Sequence, residues 1–256
     1  MPTEEKRVAV LIDADNISYR YVKTILDEAS AFGIVNVKRI YGDWGKTQLK
    51  SWAEVLLPNS IRQIQQPNYT VGKNSTDSAM IIDAMDLFYS GTVDCFCLVS
   101  SDSDFTGLAM RLKESGMFIV GMGMKITPEP MIASCNAFKF LDVIDTDTGP
   151  EESKNSGKGV ERKSLSKSSA ISKTEKELIK IISEIINLNS DDEGWMALSG
   201  IQPHIVKRKP EFDVRNYGFS KMLPLVERLN AFDVRKEKEV TNTQNKNAHI
   251  VYIKNK

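Results

Sequence analysis

The chain has 256 residues, 41% of them apolar, with 34 basic and 34 acidic side chains, enough to build the core of one large domain or two modest ones. No run of 18 or more apolar residues occurs, and the opening MPTEEKRVAV lacks the basic and apolar regions of a signal peptide, which argues against a membrane partner and for a cytoplasmic protein. The zero net charge hides a division: residues 1–147 carry 14 basic against 19 acidic side chains, net −5, and residues 148–256 carry 20 against 15, net +5, as an acidic centre needing cations joined to a module suited to phosphate would.

From residue 8 short apolar, β-branched runs alternate with helical stretches. VAVLID predicts a first strand, SYRYVKTILDEASAFG a helix, VKRIYGD a second strand, TQLKSWAEVLL a helix and IRQIQQ a third strand. DSAMIIDAMDLFYSG then predicts a helix, CFCLVS a fourth strand, FTGLAMRLKESG a helix, FIVGMG a fifth strand and AFKFLD a sixth. Strands that read as continuous apolar runs between helices imply an α/β fold, a parallel sheet flanked by helices on both faces. Right-handed crossovers put every strand's carboxyl end on one edge, where such sheets bind ligands. Cys95, Cys97 and Cys135 cannot pair completely, and a C-x-C inside an apolar run reads as buried strand, so the thiols are expected to be structural.

Residues 148–172 hold little that could form a core and are rich in Ser, Lys, Glu and Gly, the composition of a flexible linker. Beyond it, KTEKELIKIISEIINL has helical spacing at Leu178, Ile181, Ile182, Ile185 and Ile186. Two further helical segments follow, and AFDVRKEKEV and HIVYIK read as a hairpin around the polar loop TNTQNKN. Helices followed by a hairpin predict a small C-terminal winged-helix domain. The expected division is therefore 1–147, a linker at 148–172, and 173–256.

The predicted sheet gathers acids at one edge. Asp13 ends the first strand, Asp43 the second, and Asp102 and Asp104 the fourth. Asp77 falls in the first turn of a helix whose start at Ser75 or Thr76 is marked by their capping chemistry. Asp83, six residues on, points to a different face from Asp77. Grouped carboxylates repel one another by several kcal/mol in a partly dry site, and a divalent cation relieves that cost. Oxygen-only ligands select hard ions such as Mg2+ or Mn2+, and the chemistry this favours is hydrolysis of a phosphodiester. Each acid also has a plainer reading: Asp102 or Asp104 as a helix cap, Asp15 or Asn16 as a cap of the first helix, Asp43 as a turn residue before Gly45. With only His204 and His249, both in the back half, a Ser/His/Asp triad or His/His ribonuclease chemistry has no basis in the acidic half. Gly121 and Gly123, placed after the fifth strand, lack the third glycine of a phosphate cradle.

VLIDADN, KNSTDSAMIIDAMD, LVSSDSDF and GMFIVGMGM, in this order, resemble the NYN domain, a LabA-like branch of the PIN-like nuclease superfamily, across about residues 6–146. The resemblance implies a Rossmann-like PIN-type sheet, a metal-binding acidic pocket and endoribonuclease activity. Position by position, Asp13 and Asn16 match the first-strand motif, Asp77 the acid of the central helix, and Asp102 and Asp104 the pair after the fourth strand. Asp15 shares the first motif, and Asp43 has a counterpart in some members. GWMALSGIQPHIVKRKPEFDVRNYGFSKMLPLVERLNAFDV resembles an OST-HTH, or LOTUS, domain, which implies RNA binding or, in some members, docking of a partner protein. Trp195 and Tyr217 are read there as core residues packed against helices. The candidate RNA contacts are Lys207, Arg208, Lys209, Arg215 and Lys221, with Lys73 beside the acidic helix.

The resulting expectation is a metal-dependent ribonuclease in which Asp13, Asp77 and Asp102 hold ions or position water, Asp104 supports them, and Asn16 orients an acid or touches substrate. Two alternatives stand beside it. One is a non-catalytic RNA- or protein-binding adaptor with a silent pocket. The other is a haloacid dehalogenase-type phosphatase opening on D-x-D, with which Asn16 and the helix of Asp77 fit poorly.

Overall fold

The structure, a computed structural model, describes residues 5–66, 75–147, 172–238 and 249–256. The linker reading up to residue 171, the TNTQNKN loop and the RNA-contact reading of Lys73 lie outside these residues.

The apolar runs become six strands of one parallel sheet: β1 Arg7–Asp13, β2 Ile34–Gly42, β3 Arg62–Gln65, β4 Cys95–Val99, β5 Phe118–Gly123 and β6 Ala137–Phe140, in the order β3-β2-β1-β4-β5-β6. Helices α1 Val22–Ser30, α2 Ala53–Leu56, α3 Ser75–Tyr89, α4 Thr106–Glu114, α5 Glu129–Ser134 and α6 Leu141–Asp147 cover it. Alternate residues of β1 feed opposite layers. Val8, Val10 and Ile12 pack with Cys95, Cys97 and Val99 beneath Ile25 of α1 and Leu141 of α6. Ala9 and Leu11 pack with Phe96 and Leu98 against Met80 and Ala84 of α3, Leu108 of α4 and Met131 of α5. Both faces being dry is why the strands read as unbroken apolar runs, and each buried Val, Leu or Ile contributes about 1.5–3 kcal/mol of hydrophobic stabilisation. The three cysteines are buried free thiols, as a structural role requires.

Two expectations need correction. AFKFLD is strand only as far as Phe140, and Leu141 opens α6 because its side chain completes the core below β1. Gly121 and Gly123 do not follow β5 but lie within it, where bare backbone lets Phe138 and the end of β4 approach.

The elements from residue 173 onward form a second compact unit. Helix α7 Lys173–Asn189 starts in a capping box, with the Ser172 hydroxyl accepting from the Glu175 N–H and the Glu175 carboxylate accepting from the Ser172 N–H. Its Leu178, Ile182, Ile185 and Ile186 are buried. Helices α8 Ile201–Arg208 and α9 Met222–Leu229 accompany an antiparallel sheet of β7 Met196–Ala197, β8 Phe232–Lys238 and β9 His249–Asn255, in the order β7-β9-β8. The expected hairpin is thus joined by a short third strand. Trp195 is not a core residue: half-buried beside β7, it lies with the Arg235 guanidinium 4.5 Å and the Lys254 ammonium 5.9 Å from its ring centre. Tyr217 is half-buried as well. Among the described residues no helix is long and apolar enough to cross a membrane.

Candidate functional site

β1 lies between β2 and β4, so the strand order reverses between β1 and β4, and the crevice above their carboxyl ends is the natural binding position of this fold. Ile12 pairs with Val99, which sets the next residues, Asp13 and Ser100, side by side. The Ser100 hydroxyl, 0% exposed, donates to Asp13 Oδ2 at 2.8 Å. Asn16 Nδ2 donates to the same oxygen at 2.6 Å, and the Asp15 N–H donates to Oδ1 at 3.1 Å. Burial raises the Asp13 pKa, and these donors, Ser100 first, work against the rise. Asn16 is thus a hydrogen-bond partner of Asp13.

Ser100 also links Asp13 to the next acid, since its oxygen accepts the Asp102 N–H at 3.0 Å. Asp102 Oδ1 in turn accepts the Asp104 N–H at 2.9 Å, capping the 3-10 turn that leads into α4. Asp102 is thus a cap, and that cap uses only one of its two oxygens. Gly123 makes this turn possible: a Cβ there would lie 2.8 Å from the Ser100 carbonyl oxygen and 3.0 Å from Ser101 Oγ.

Asp77, in the first turn of α3, meets this edge from the other side. Asp77, Asp102 and Asp104 each present a carboxylate oxygen, and these oxygens lie within 4.8 Å of one another. Asp13 stands outside that group of three, its oxygens engaged as described, yet it acts electrostatically on Asp77. The Asp77 pKa is pushed up to about 6, first by burial and then by the charges of Asp13, Asp102, Asp104 and Asp15. All the donors are hard oxygens, and ligand atoms around a magnesium-sized ion sit about 3–4 Å apart, so the three carboxylates fit a hard divalent ion after small side-chain rotations.

The other acids are placed differently. Asp15 pairs with Lys46 Nζ at 2.9 Å and accepts the Thr76 hydroxyl at 3.4 Å. Asp43 serves a turn, its Oδ1 accepting from the Gly45 N–H at 3.3 Å and from Gln65 Nε2 at 3.4 Å. Asp83 faces away from Asp77, as helical spacing requires, and is held by Arg39 and the Tyr41 hydroxyl. Sequence reasoning did not single out Ser100 or Lys46, and read Thr76 only as a candidate helix cap. Ser100 carried one signal, a small polar residue between an apolar strand and two aspartates.

The cations expected between residues 207 and 221 separate into two sets. Arg208 pairs with Glu184 at 2.9 Å, Lys209 with Glu211 at 3.2 Å, and Arg215 with the buried Asp213 at 2.7 Å. Lys207 and Lys221 stand exposed at the end of α8 and the start of α9.

A family model for the NYN domain matches residues 7–142, and one for the OST-HTH/LOTUS domain matches residues 169–240. An uncharacterized protein of Methanocaldococcus jannaschii is 28% identical over 124 residues, which are 46% of this chain and 48% of that protein, so the chain spans about half the length of this curated relative. The crystal structure of a protein of unknown function from Vibrio parahaemolyticus aligns with 54% of this chain and 94% of its own, at 17% identity and a TM-score of 0.45.

Proposed function

The chain belongs to the NYN domain family and carries an OST-HTH/LOTUS domain behind it, and on that premise we propose that it is an endoribonuclease dependent on Mg2+ or Mn2+. Residues 1–147 form the cleaving unit, 148–172 a tether, and 173–256 the unit that holds RNA. One observation carries the reading: three carboxylates from α3 and the turn after β4 converge within 4.8 Å at the strand-order reversal. Like charges so grouped are costly, and a bound divalent cation would remove the cost.

A divalent ion held there supplies Lewis acidity and lowers the pKa of water. Asp77, Asp102 and Asp104 would hold it and would orient the attacking water toward phosphorus. Asp13, fixed by Ser100 and Asn16, keeps the back of the pocket anionic and in register, as the partners behind first ligands do. Water adds to phosphorus, the bond from phosphorus to one ester oxygen breaks, and that oxygen leaves with a proton. In the C-terminal unit, Lys207 and Lys221 meet the backbone, and tethering raises the local substrate concentration.

The test is incubation of the full chain with labelled single-stranded RNA and Mn2+ or Mg2+, beside Asp102→Asn and an EDTA control. Cleavage lost in both controls is the expected result. Cleavage that persists in either one, or wild-type protein that binds RNA and leaves it intact, overturns the proposal.

A further inference from the structure

Lys46 brings a positive charge to the margin of an acidic crevice, and the loop carrying it is held firmly. The Lys46 N–H donates to the Asp43 carbonyl at 3.0 Å. The Trp44 N–H donates to Gln65 Oε1 at 3.1 Å, and its indole Nε1–H to the Ile64 carbonyl at 2.8 Å, which ties the loop to β3 and its end. Behind the loop, a Cβ on Gly42 would come 2.8 Å from Leu49 and 3.2 Å from Ala14, so the end of β2 is packed tight against the turn after β1. Asp15, which receives the Lys46 ammonium on one oxygen, accepts the Thr76 hydroxyl on the other, next to Asp77 in the chain.

The backbone is fixed, but the ion pair is not. Lys46 and Asp15 keep 35% and 32% side-chain exposure, and pairs so open to water contribute no more than about 1 kcal/mol. The ammonium can therefore leave Asp15 at small cost, and Asp15 retains Thr76. The crevice also has a shortage of positive charge: Asp13, Asp15, Asp102 and Asp104 all act on Asp77 there, one divalent ion offsets two charges, and an arriving phosphodiester adds another negative charge. A bond from an ammonium to a phosphate oxygen is a charge-assisted one, stronger than the exposed pair it replaces.

We propose that Lys46 is the phosphate contact of this site, its ammonium passing from Asp15 to a non-bridging oxygen of the nucleic-acid phosphate next to the carboxylate cluster. This inference rests on the hydrolase reading for its substrate, and its test is arranged to separate the two. Isothermal titration of the full chain measures Mn2+ affinity, then the affinity of the Mn2+-saturated protein for uridine 5′-monophosphate, in wild type, Lys46→Gln and Lys46→Arg. Lys46→Gln is expected to weaken the nucleotide by about fivefold to tenfold, Lys46→Arg to recover most of that loss, and Mn2+ affinity and melting temperature to hold. Equal nucleotide affinity in wild type and Lys46→Gln overturns the inference. So does a wild type that does not bind the nucleotide, or a loss of Mn2+ affinity and melting temperature in step with the nucleotide, which would make Lys46 a structural cation. If wild type binds Mn2+ and the nucleotide with the expected Lys46 dependence yet never cuts RNA, the hydrolase reading falls and the phosphate contact stands.

Discussion

Helix α3 carries two aspartates that meet opposite surroundings. Asp83 faces β2, where Arg39 and the Tyr41 hydroxyl both donate to it, and all three groups lie mostly out of water. Asp77, less than two turns earlier, looks toward the crevice, where burial and four other carboxylates push its proton affinity up. The same residue type on the same helix thus does two jobs. An acid whose charge is answered inside the fold holds the fold together, whereas an acid surrounded by like charges stores repulsion that a cation can release.

Substitution separates the two. Asp77→Asn is expected to lower RNA cleavage by at least about a hundredfold, equivalent to ~2.7 kcal/mol of transition-state stabilisation, while the melting temperature holds or rises because a repelled charge has gone. Asp83→Ala should act in the opposite sense, costing about 2–3 kcal/mol in urea denaturation, since Arg39 and Asp83 are only 21% and 22% exposed and removing one partner strands the other. Cleavage per folded molecule should be unchanged by it. If Asp77→Asn proves the more destabilising of the two, Asp77 is a structural acid and the distinction collapses.

Acid titration sharpens the same contrast without changing a residue. The folded-state pKa of Asp77 lies near 6 against an ordinary 3.8, so between those values the folded protein binds more protons than the unfolded chain. The contribution of Asp77 to stability is complete below pH 3.8 and fades as pH rises through about 6. In metal-free buffer, wild type should therefore gain melting temperature relative to Asp77→Asn when acidified from pH 7 to about pH 5. Mn2+ should raise the wild-type melting temperature at pH 7 and lose that effect near pH 5, where the proton displaces it. A melting difference between the two proteins that ignores pH would show that Asp77 ionises as an ordinary surface acid.

The sheet was legible because burial on both faces leaves unbroken apolar runs, and the placement of Asp13, Asp77, Asp102 and Asp104 near one edge was legible because strand ends and a helix start fall at defined places in such runs. Asp83 was separable from Asp77 by helical spacing alone. Ser100 and Lys46 were not legible, since each acts on a partner distant in sequence: 87 residues separate Ser100 from Asp13 and 31 separate Lys46 from Asp15. Such contacts depend on strand register and loop packing, and serine and lysine are commonplace residues at a strand end and in a loop. Asp43 looked like a site acid because it follows a strand, but the Gly45 N–H and Gln65 compete for its carboxylate. Trp195 was misplaced because β7 is two residues long, too short for alternation to show which face a neighbouring side chain takes.

The smallest expected effect lies at the opposite edge of the sheet. There Asp94 takes the Arg7 backbone N–H and its Nε at 2.9 Å on one oxygen and Nη2 at 2.9 Å on the other. The geometry is better than at Asp83 in the number of bonds, yet the two side chains are 43% and 42% exposed, so water already solvates both charges. Hydrogen bonds from Arg7 bring the Asp94 pKa down to about 2. A depressed pKa means the stabilisation is whole above pH 3.8 and is lost as pH falls through about 2. Asp94→Asn should consequently cost less than about 1 kcal/mol at pH 7, and less still in high salt, because exposed pairs are screened. The difference between the two proteins should close near pH 2, and RNA cleavage should not change. A cost equal to that of Asp83→Ala, insensitive to salt, would mean that bond count rather than burial decides what an answered acid contributes in this fold.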